Sequence, residues 1–235
     1  MGTRSFSLAP HLYRGKGKQM KILELFSGSK TMSNTFKAHG HETFTVDIEK
    51  KYEPDLCIDI MDFKCDMVPF KPDVIWASPP CTTFSVASMS AHWTGGARKY
   101  IPKTEECKRG IARVHKTLDI INELKPRYWF IENPVGVLRK LKIMPKYKRT
   151  VTYCQYGDNR MKPTDIWTNA YHWIPRKRCS VNDRCHEPAP RGSNTGTQGL
   201  KNNYERSKIP VELCEEIVAV CEDRAKKIQR TLEVD

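Results

Sequence analysis

Cys81 stands behind two prolines in Ser78-Pro79-Pro80-Cys81-Thr82-Thr83-Phe84-Ser85, directly after the apolar run Asp73-Val74-Ile75-Trp76-Ala77. Two prolines fix φ and remove two N–H donors, so a strand ends there and the cysteine is presented from a stiff loop. A thiol held that way can act as a nucleophile. Its companion is Glu132 in Phe130-Ile131-Glu132-Asn133-Pro134, a carboxyl that can hold or share a proton with a reacting ring.

A second constellation suits a nucleoside-bearing cofactor. Gly28 follows the apolar run Lys21-Ile22-Leu23-Glu24-Leu25-Phe26 and precedes a helical stretch, where a ligand can approach the backbone and meet free N–H groups. Asp47 ends the next apolar run, at the place where such folds put an acid for ribose hydroxyls, and Asp59 ends the one after. A phosphate-binding P-loop is excluded, because GxxxxGK[ST] would need glycines where Glu24 and Ser29 stand.

These residues need elements to position them. Strands are predicted over 21–26, 43–47, 56–59, 73–77 and 128–131, with helices over 31–39 and 105–124, the latter with Ile111, Val114, Leu118 and Ile121 on one face. A polar, Gly- and Lys-rich loop is expected over 82–104. Past Trp167 the pattern dissolves into a Pro/Arg/Gly/Asn-rich stretch, and a final helix over 210–228 carries Leu213, Ile217, Val220 or Cys221, and Ile228 as its apolar stripe. Strand–helix alternation implies an α/β fold, a doubly wound and mostly parallel sheet whose ligands sit at the strand C-termini.

The 235 residues suffice for one such domain with a small appendage. Forty Lys+Arg against 27 Asp+Glu give +13, a charge suited to nucleic acid first and an anionic surface second. No stretch reaches the roughly 20 apolar residues needed to span a bilayer. Nine scattered cysteines do not form a disulfide framework in a chain this long, so a reducing, cytoplasmic setting and a monomer are expected.

Together the segments resemble the DNA (cytosine-5) methyltransferase family. Glu24-Leu25-Phe26-Ser27-Gly28 resembles its first motif, Pro79-Pro80-Cys81-Thr82-Thr83-Phe84-Ser85 its Pro-Cys motif, Glu132-Asn133 its Glu-Asn pair, and Tyr156-Gly157 through Ile166 its Tyr-Gly segment. Pro134 replaces the usual valine after Glu-Asn. The resemblance implies a Rossmann-like fold dependent on S-adenosyl-L-methionine, held by Phe26, Ser27, Gly28, Asp47, Ile48, Asp59, Ile60 and Pro79. It implies that Cys81 attacks C6 of cytosine, that Glu132 acts at N3, and that a cation assists at O2. Ungapped alignment leaves Arg160 and Lys162 both open for that last role. The implied organisation is a basic arm over 1–19, a catalytic domain over 20–167, a short recognition segment over 168–205 and a returning helix over 206–235.

A base inside a duplex hides C6 and N3, so the target must be flipped or single-stranded. Within the 82–104 loop, Trp93 is a candidate for insertion or stacking and Arg98 and Lys99 for phosphates; Ser85 is either a cap or a phosphate contact. Arg176, Lys177 and Arg178 in the short recognition segment favour phosphate contacts over base reading. Cys179, Cys185 and His186 could bind zinc, with Cys154 or His172 as a fourth ligand, but their irregular spacing and the adjacent Cys-His pair favour simple packing, and no metal is assigned. DNA is the expected partner. RNA is the alternative polymer, and a catalytically silent nucleic-acid-binding subunit the alternative class.

Overall fold

The computed structural model describes residues 18–188 and 203–223, without the side chains of Ala97, Arg98 and Asn203. The expected basic arm therefore lies almost wholly outside the described residues, as do the Arg98 side chain and Ile228.

Among the described residues nine strands and six α-helices follow one another: β1 (Lys21–Leu25), α1 (Thr31–Ala38), β2 (Glu42–Asp47), β3 (Leu56–Cys57), β4 (Val74–Ala77), α2 (Met89–His92), β5 (Trp93–Thr94), α3 (Gly96–Lys99), β6 (Ile101–Pro102), α4 (Glu105–Leu124), β7 (Tyr128–Pro134), β8 (Lys148–Thr152), β9 (Pro163–Thr168), α5 (Asn203–Ser207) and α6 (Val211–Cys221). Seven strands form one sheet in the order β3-β2-β1-β4-β7-β9-β8. The first five are parallel; β9 is antiparallel to both β7 and β8. The doubly wound, mostly parallel sheet expected from the sequence is present.

Alternation along the strands divides the core into two layers. Ile22, Val74, Trp76 and Phe130 face one side, where Phe36 of α1 and Leu213, Ile217 and Val218 of α6 cover them. Leu23, Leu25, Ile75, Ala77 and Ile131 face the other, against Val114, Ile120 and Ile121 of α4. Both faces being covered explains why β1 and β4 read as unbroken apolar runs. Helix α4 begins where Thr104 caps it, its hydroxyl accepting from Cys107 N at 3.2 Å, with Glu105 and Glu106 in the first turn.

Two expectations are corrected. The 82–104 stretch is not a plain loop but folds into α2, α3 and the β5–β6 hairpin. The five predicted strands are also not the whole sheet, because β8 and β9 complete it. They were hidden by their polarity: fully buried Asp165 of β9 is neutralised by Arg139, whose Nε donates to it at 2.7 Å, and accepts from the Thr150 hydroxyl at 2.7 Å.

Candidate active site

Ala77 lies opposite Ile131 in the β4–β7 pair, and Pro134 opposite Thr164 in β7–β9. Cys81 follows β4, Glu132 sits within the last turn of β7's pairing, and Lys162 enters β9 from the reversed direction. The register alone therefore delivers all three to the same edge of the sheet, at the C-terminal ends of the parallel strands.

The Pro79-Pro80-Cys81 turn is fixed from beside and behind. Asn133 Nδ2 donates to the Pro79 carbonyl at 2.8 Å, and Phe84 N and Ser85 N both donate to the Cys81 carbonyl at 3.0 Å. Val137 N donates to Phe84 O at 2.7 Å, and Ser85 bridges Gly136. Gly136 is required here by close approach: a Cβ at that position would lie 2.1 Å from the Phe84 carbonyl oxygen.

Cys81 is half-buried, and its thiol is pushed up first by burial and then by the Glu132 carboxylate, while Lys162 pulls it down. Glu132, 6% exposed, is raised above the usual carboxylate range by burial, against opposing pulls from Lys162 and from Tyr153, whose hydroxyl donates to Oε1 at 3.0 Å. Burial and Glu132 hold the Tyr153 phenol well above its ordinary value, so it stays a donor. Lys162 is lowered by burial and raised by Glu132 and Cys81. Its ammonium donates to Arg206 O at 2.9 Å and lies 4.5 Å from the Tyr153 ring centre. A φ of 29° at this non-glycine residue is a strained conformation, of the kind that persists where surrounding structure over-determines it.

Arg160 is placed differently. It is 6% exposed, ion-paired with Asp158 through Nε at 2.8 Å, and its Nη1 donates to Glu205 O at 3.1 Å and Arg206 O at 3.3 Å. Arg160 staples the Tyr-Gly segment to the returning chain, whereas Lys162 shares the electrostatic environment of Cys81 and Glu132.

The residues expected to hold the cofactor gather at the tips of β1 to β4. Phe26 adopts a left-handed φ of 58° and Gly28 one of 46°, turning the chain into α1. Asp47 accepts from Gly28 N at 2.9 Å and from Glu49 N at 2.8 Å, so its carboxylate is fixed against the turn. Asp59 accepts from Met61 N at 3.0 Å, Ile48 is 57% exposed, Ile60 is buried and Pro79 is buried beside the cysteine turn. The Ser27 hydroxyl is buried with no partner among the described residues, an orphan suited to a polar ligand group. A cleft of about 550 Å³ opens at Gly28, Ser29 and Lys30 and runs along Tyr52 and Tyr204, whose rings stack at 5.6 Å. The orphan Ser27 hydroxyl and the Asp47 carboxylate adjoin Gly28 at the mouth of this cleft, polar groups of the kind an adenosyl ligand would meet.

Residues 20–156 match the family described as C-5 cytosine-specific DNA methylase. The chain belongs to that family. Its cofactor is S-adenosyl-L-methionine. A similar curated protein is the probable DNA (cytosine-5)-methyltransferase of Frog virus 3 (isolate Goorha), 28% identical over 86% of this chain and 100% of its own length. Similar solved structures include Entamoeba histolytica EhMeth, with TM-score 0.46, 14% identity, and coverage of 69% of this chain and 57% of that one. Spodoptera frugiperda DNMT2, in a mutant form, gives TM-score 0.40, 19% identity, and coverage of 69% and 54%. This chain thus spans little more than half the length of those two.

Several site residues stand elsewhere than the sequence suggested. Trp93, proposed for stacking on a base, is buried: its indole N–H donates to Thr83 O at 2.6 Å and its ring packs 6.1 Å from Phe84 and 6.5 Å from Tyr100. It braces the cysteine turn. Arg176, proposed for phosphate, donates to Gln155 O at 2.7 Å and pairs with Glu212 at 2.5 Å, its guanidinium 4.7 Å from the Tyr156 ring. It fastens the segment to α6. Ser85 pairs with the Ser88 hydroxyl at 2.9 Å, while Lys99, Lys177 and Arg178 are exposed. Sequence reasoning missed Tyr153, Tyr52 and Tyr204; Tyr153 had a signal, since it stands three residues before Tyr156-Gly157. Among the described residues no helix is long and apolar enough to cross a membrane.

Proposed function

We propose that this chain methylates C5 of cytosine in DNA through a covalent bond between Cys81 and C6 of a base held outside the stack. The observation carrying this reading is the shared edge of Cys81, Glu132 and Lys162 beside the cofactor turn. C5 is a weak nucleophile. Addition of the Cys81 thiolate to C6 forms the S–C6 bond and shifts electron density onto N3 and O2, leaving an enamine whose C5 can accept an electrophile. Glu132, whose carboxyl is raised above the usual range by burial, shares a proton with N3, and Lys162 stabilises charge at O2.

S-adenosyl-L-methionine, when bound, supplies the electrophilic methyl. Phe26, Ser27, Gly28, Asp47, Ile48, Asp59, Ile60 and Pro79 would hold it. Loss of the C5 proton and rupture of the S–C6 bond then restore the ring and free the thiolate. Access to C6 requires extrusion of the base or a single-stranded substrate. Exposed Lys99, Lys177 and Arg178, within a chain of charge +13, support a grip on the phosphate backbone more than base reading.

The direct test supplies methyl-tritiated S-adenosyl-L-methionine with DNA, with the same DNA carrying 5-methylcytosine throughout, and with RNA. Label should enter unmodified DNA alone and reside in 5-methylcytosine. Label entering only RNA, or appearing on adenine, would overturn the proposal.

A further inference from the structure

Three cysteines and a histidine that take no part in this chemistry converge beside the active site. Cys154 lies in the turn between β8 and Tyr156; Cys179, Cys185 and His186 come from the irregular segment past β9. Their ligand atoms all lie within 4.8 Å of one another. Cys154 Sγ is 3.1 Å from Cys179 Sγ and 3.6 Å from Cys185 Sγ, and His186 Nδ1 is 3.8 Å from Cys179 Sγ and 3.7 Å from Cys185 Sγ. A tetrahedral ion with metal–sulfur bonds of about 2.3 Å and a metal–nitrogen bond near 2.0 Å separates its ligand atoms by about 3.6–3.8 Å. Of the six edges, three already have that length, the Cys154–Cys179 edge has to open, and the remaining two lie within 4.8 Å.

Packing alone sets thiols against carbon; here each of the four donors is turned toward others. Backbone hydrogen bonds hold the arrangement, with Cys179 N donating to Thr152 Oγ1 at 3.1 Å and Glu187 N to Asn159 O at 2.9 Å. The other sequence candidate, His172, is excluded from the cluster, as its ring packs on Tyr128 and its Nε2 lies 3.4 Å from Val220 O.

We propose that Cys154, Cys179, Cys185 and His186 form a structural Cys₃His zinc site that locks the basic segment onto the catalytic domain. Soft thiolates with one imidazole select zinc over hard cations such as magnesium or calcium. Four protein ligands leave no open position, so the site is structural rather than catalytic. Three thiolates on one zinc leave a net negative charge, on a segment that also carries Lys177, Arg178 and Arg184. The adjacency of Cys185 and His186 is accommodated because the chain turns there, bringing both donors to one side. Zinc would thus replace the large recognition core that this short segment lacks, fixing Lys177 and Arg178 relative to Cys81 and anchoring the turn that carries Tyr153.

The test is metal content, read independently of methyl transfer. Full-length protein purified under reducing conditions from zinc-supplemented culture should retain about one zinc per chain after dialysis. Replacement by cobalt(II) should give the intense visible bands of a tetrahedral site with thiolate-to-metal charge transfer. Cys179→Ala and Cys185→Ala should lose the metal, whereas Cys57→Ala, exposed and remote from the cluster in sequence, should keep it. Should the cluster variants fail to fold, the cobalt spectrum of the unaltered chain decides. Folded protein without zinc, giving only a weak octahedral cobalt spectrum, or a Cys154–Cys179 disulfide in protein kept reduced throughout, would refute the site.

Discussion

The side-chain amide of Asn133 donates to the carbonyl of Pro79 at 2.8 Å, so the strand carrying the acid also fixes the turn carrying the nucleophile. The two motifs are one mechanical unit, and this buried hydrogen bond ties them directly to each other. Asn133→Ala leaves the Pro79 carbonyl unpaired and should cost about 1–3 kcal/mol of stability. Single-turnover methyl transfer should slow while S-adenosyl-L-methionine binding, measured by calorimetry, persists.

Gly136→Ala tests the second fastening of that turn. The added methyl meets the Phe84 carbonyl at 2.1 Å and has no escape, because Val137 N holds the same oxygen. A loss of about 3 kcal/mol in urea unfolding is expected, with transfer impaired well beyond the stability effect.

Lys162 and Arg160 should separate cleanly. Lys162→Met removes a cation facing developing charge and should slow single-turnover transfer about a hundredfold. It also removes the group that lowers Cys81, so the ascending limb of the pH–rate profile should move to higher pH. Arg160→Gln should instead lower the melting temperature, because it strips half-buried Asp158 of its ion pair and the Glu205 carbonyl of its donor, and leave the profile in place.

Tyr153→Phe deletes the hydroxyl that stabilises the Glu132 carboxylate. Glu132 should then release its proton at higher pH, and the descending limb of the profile should move to higher pH.

Glu24 supplies a stability test away from catalysis. Burial pushes its carboxyl up to about 7, against the pull of Ser33, whose N–H donates to it at 2.9 Å. Because the folded value exceeds the unfolded one, the folded state binds more protons between about pH 4.5 and 7, and stability falls as pH rises through that window. At pH 8 Glu24→Gln should be more stable than the parent by about 3 kcal/mol, and near pH 4 the two should converge. Urea titrations at the two pH values measure the difference.

The parallel half of the sheet and α4 were legible because strands covered on both faces are continuously apolar and α4 repeats its apolar face at helical spacing. Strands β8 and β9 were not, since Lys148-Arg149-Thr150 and the buried Asp165 look like loop until Arg139 is seen to neutralise the acid. Cys81, Glu132, Asp47 and Asp59 announced themselves by standing at strand ends. The fates of Trp93, Arg160 and Arg176 did not, because an aromatic or a cation shows its type in sequence but not its partner. Cys154, which the sequence offered only as one of two possible fourth ligands, joins its cluster from 25 residues away along the chain.

Covalent trapping tests the central claim most directly. The protein and its Cys81→Ser variant are incubated with S-adenosyl-L-methionine and DNA containing 5-fluorocytosine, whose C5 cannot release a proton, and the products are resolved under denaturing conditions. A stable protein–DNA adduct that disappears with Cys81→Ser is predicted. An adduct that persists in the variant, or cofactor-competent protein that methylates DNA without ever forming one, would contradict the account.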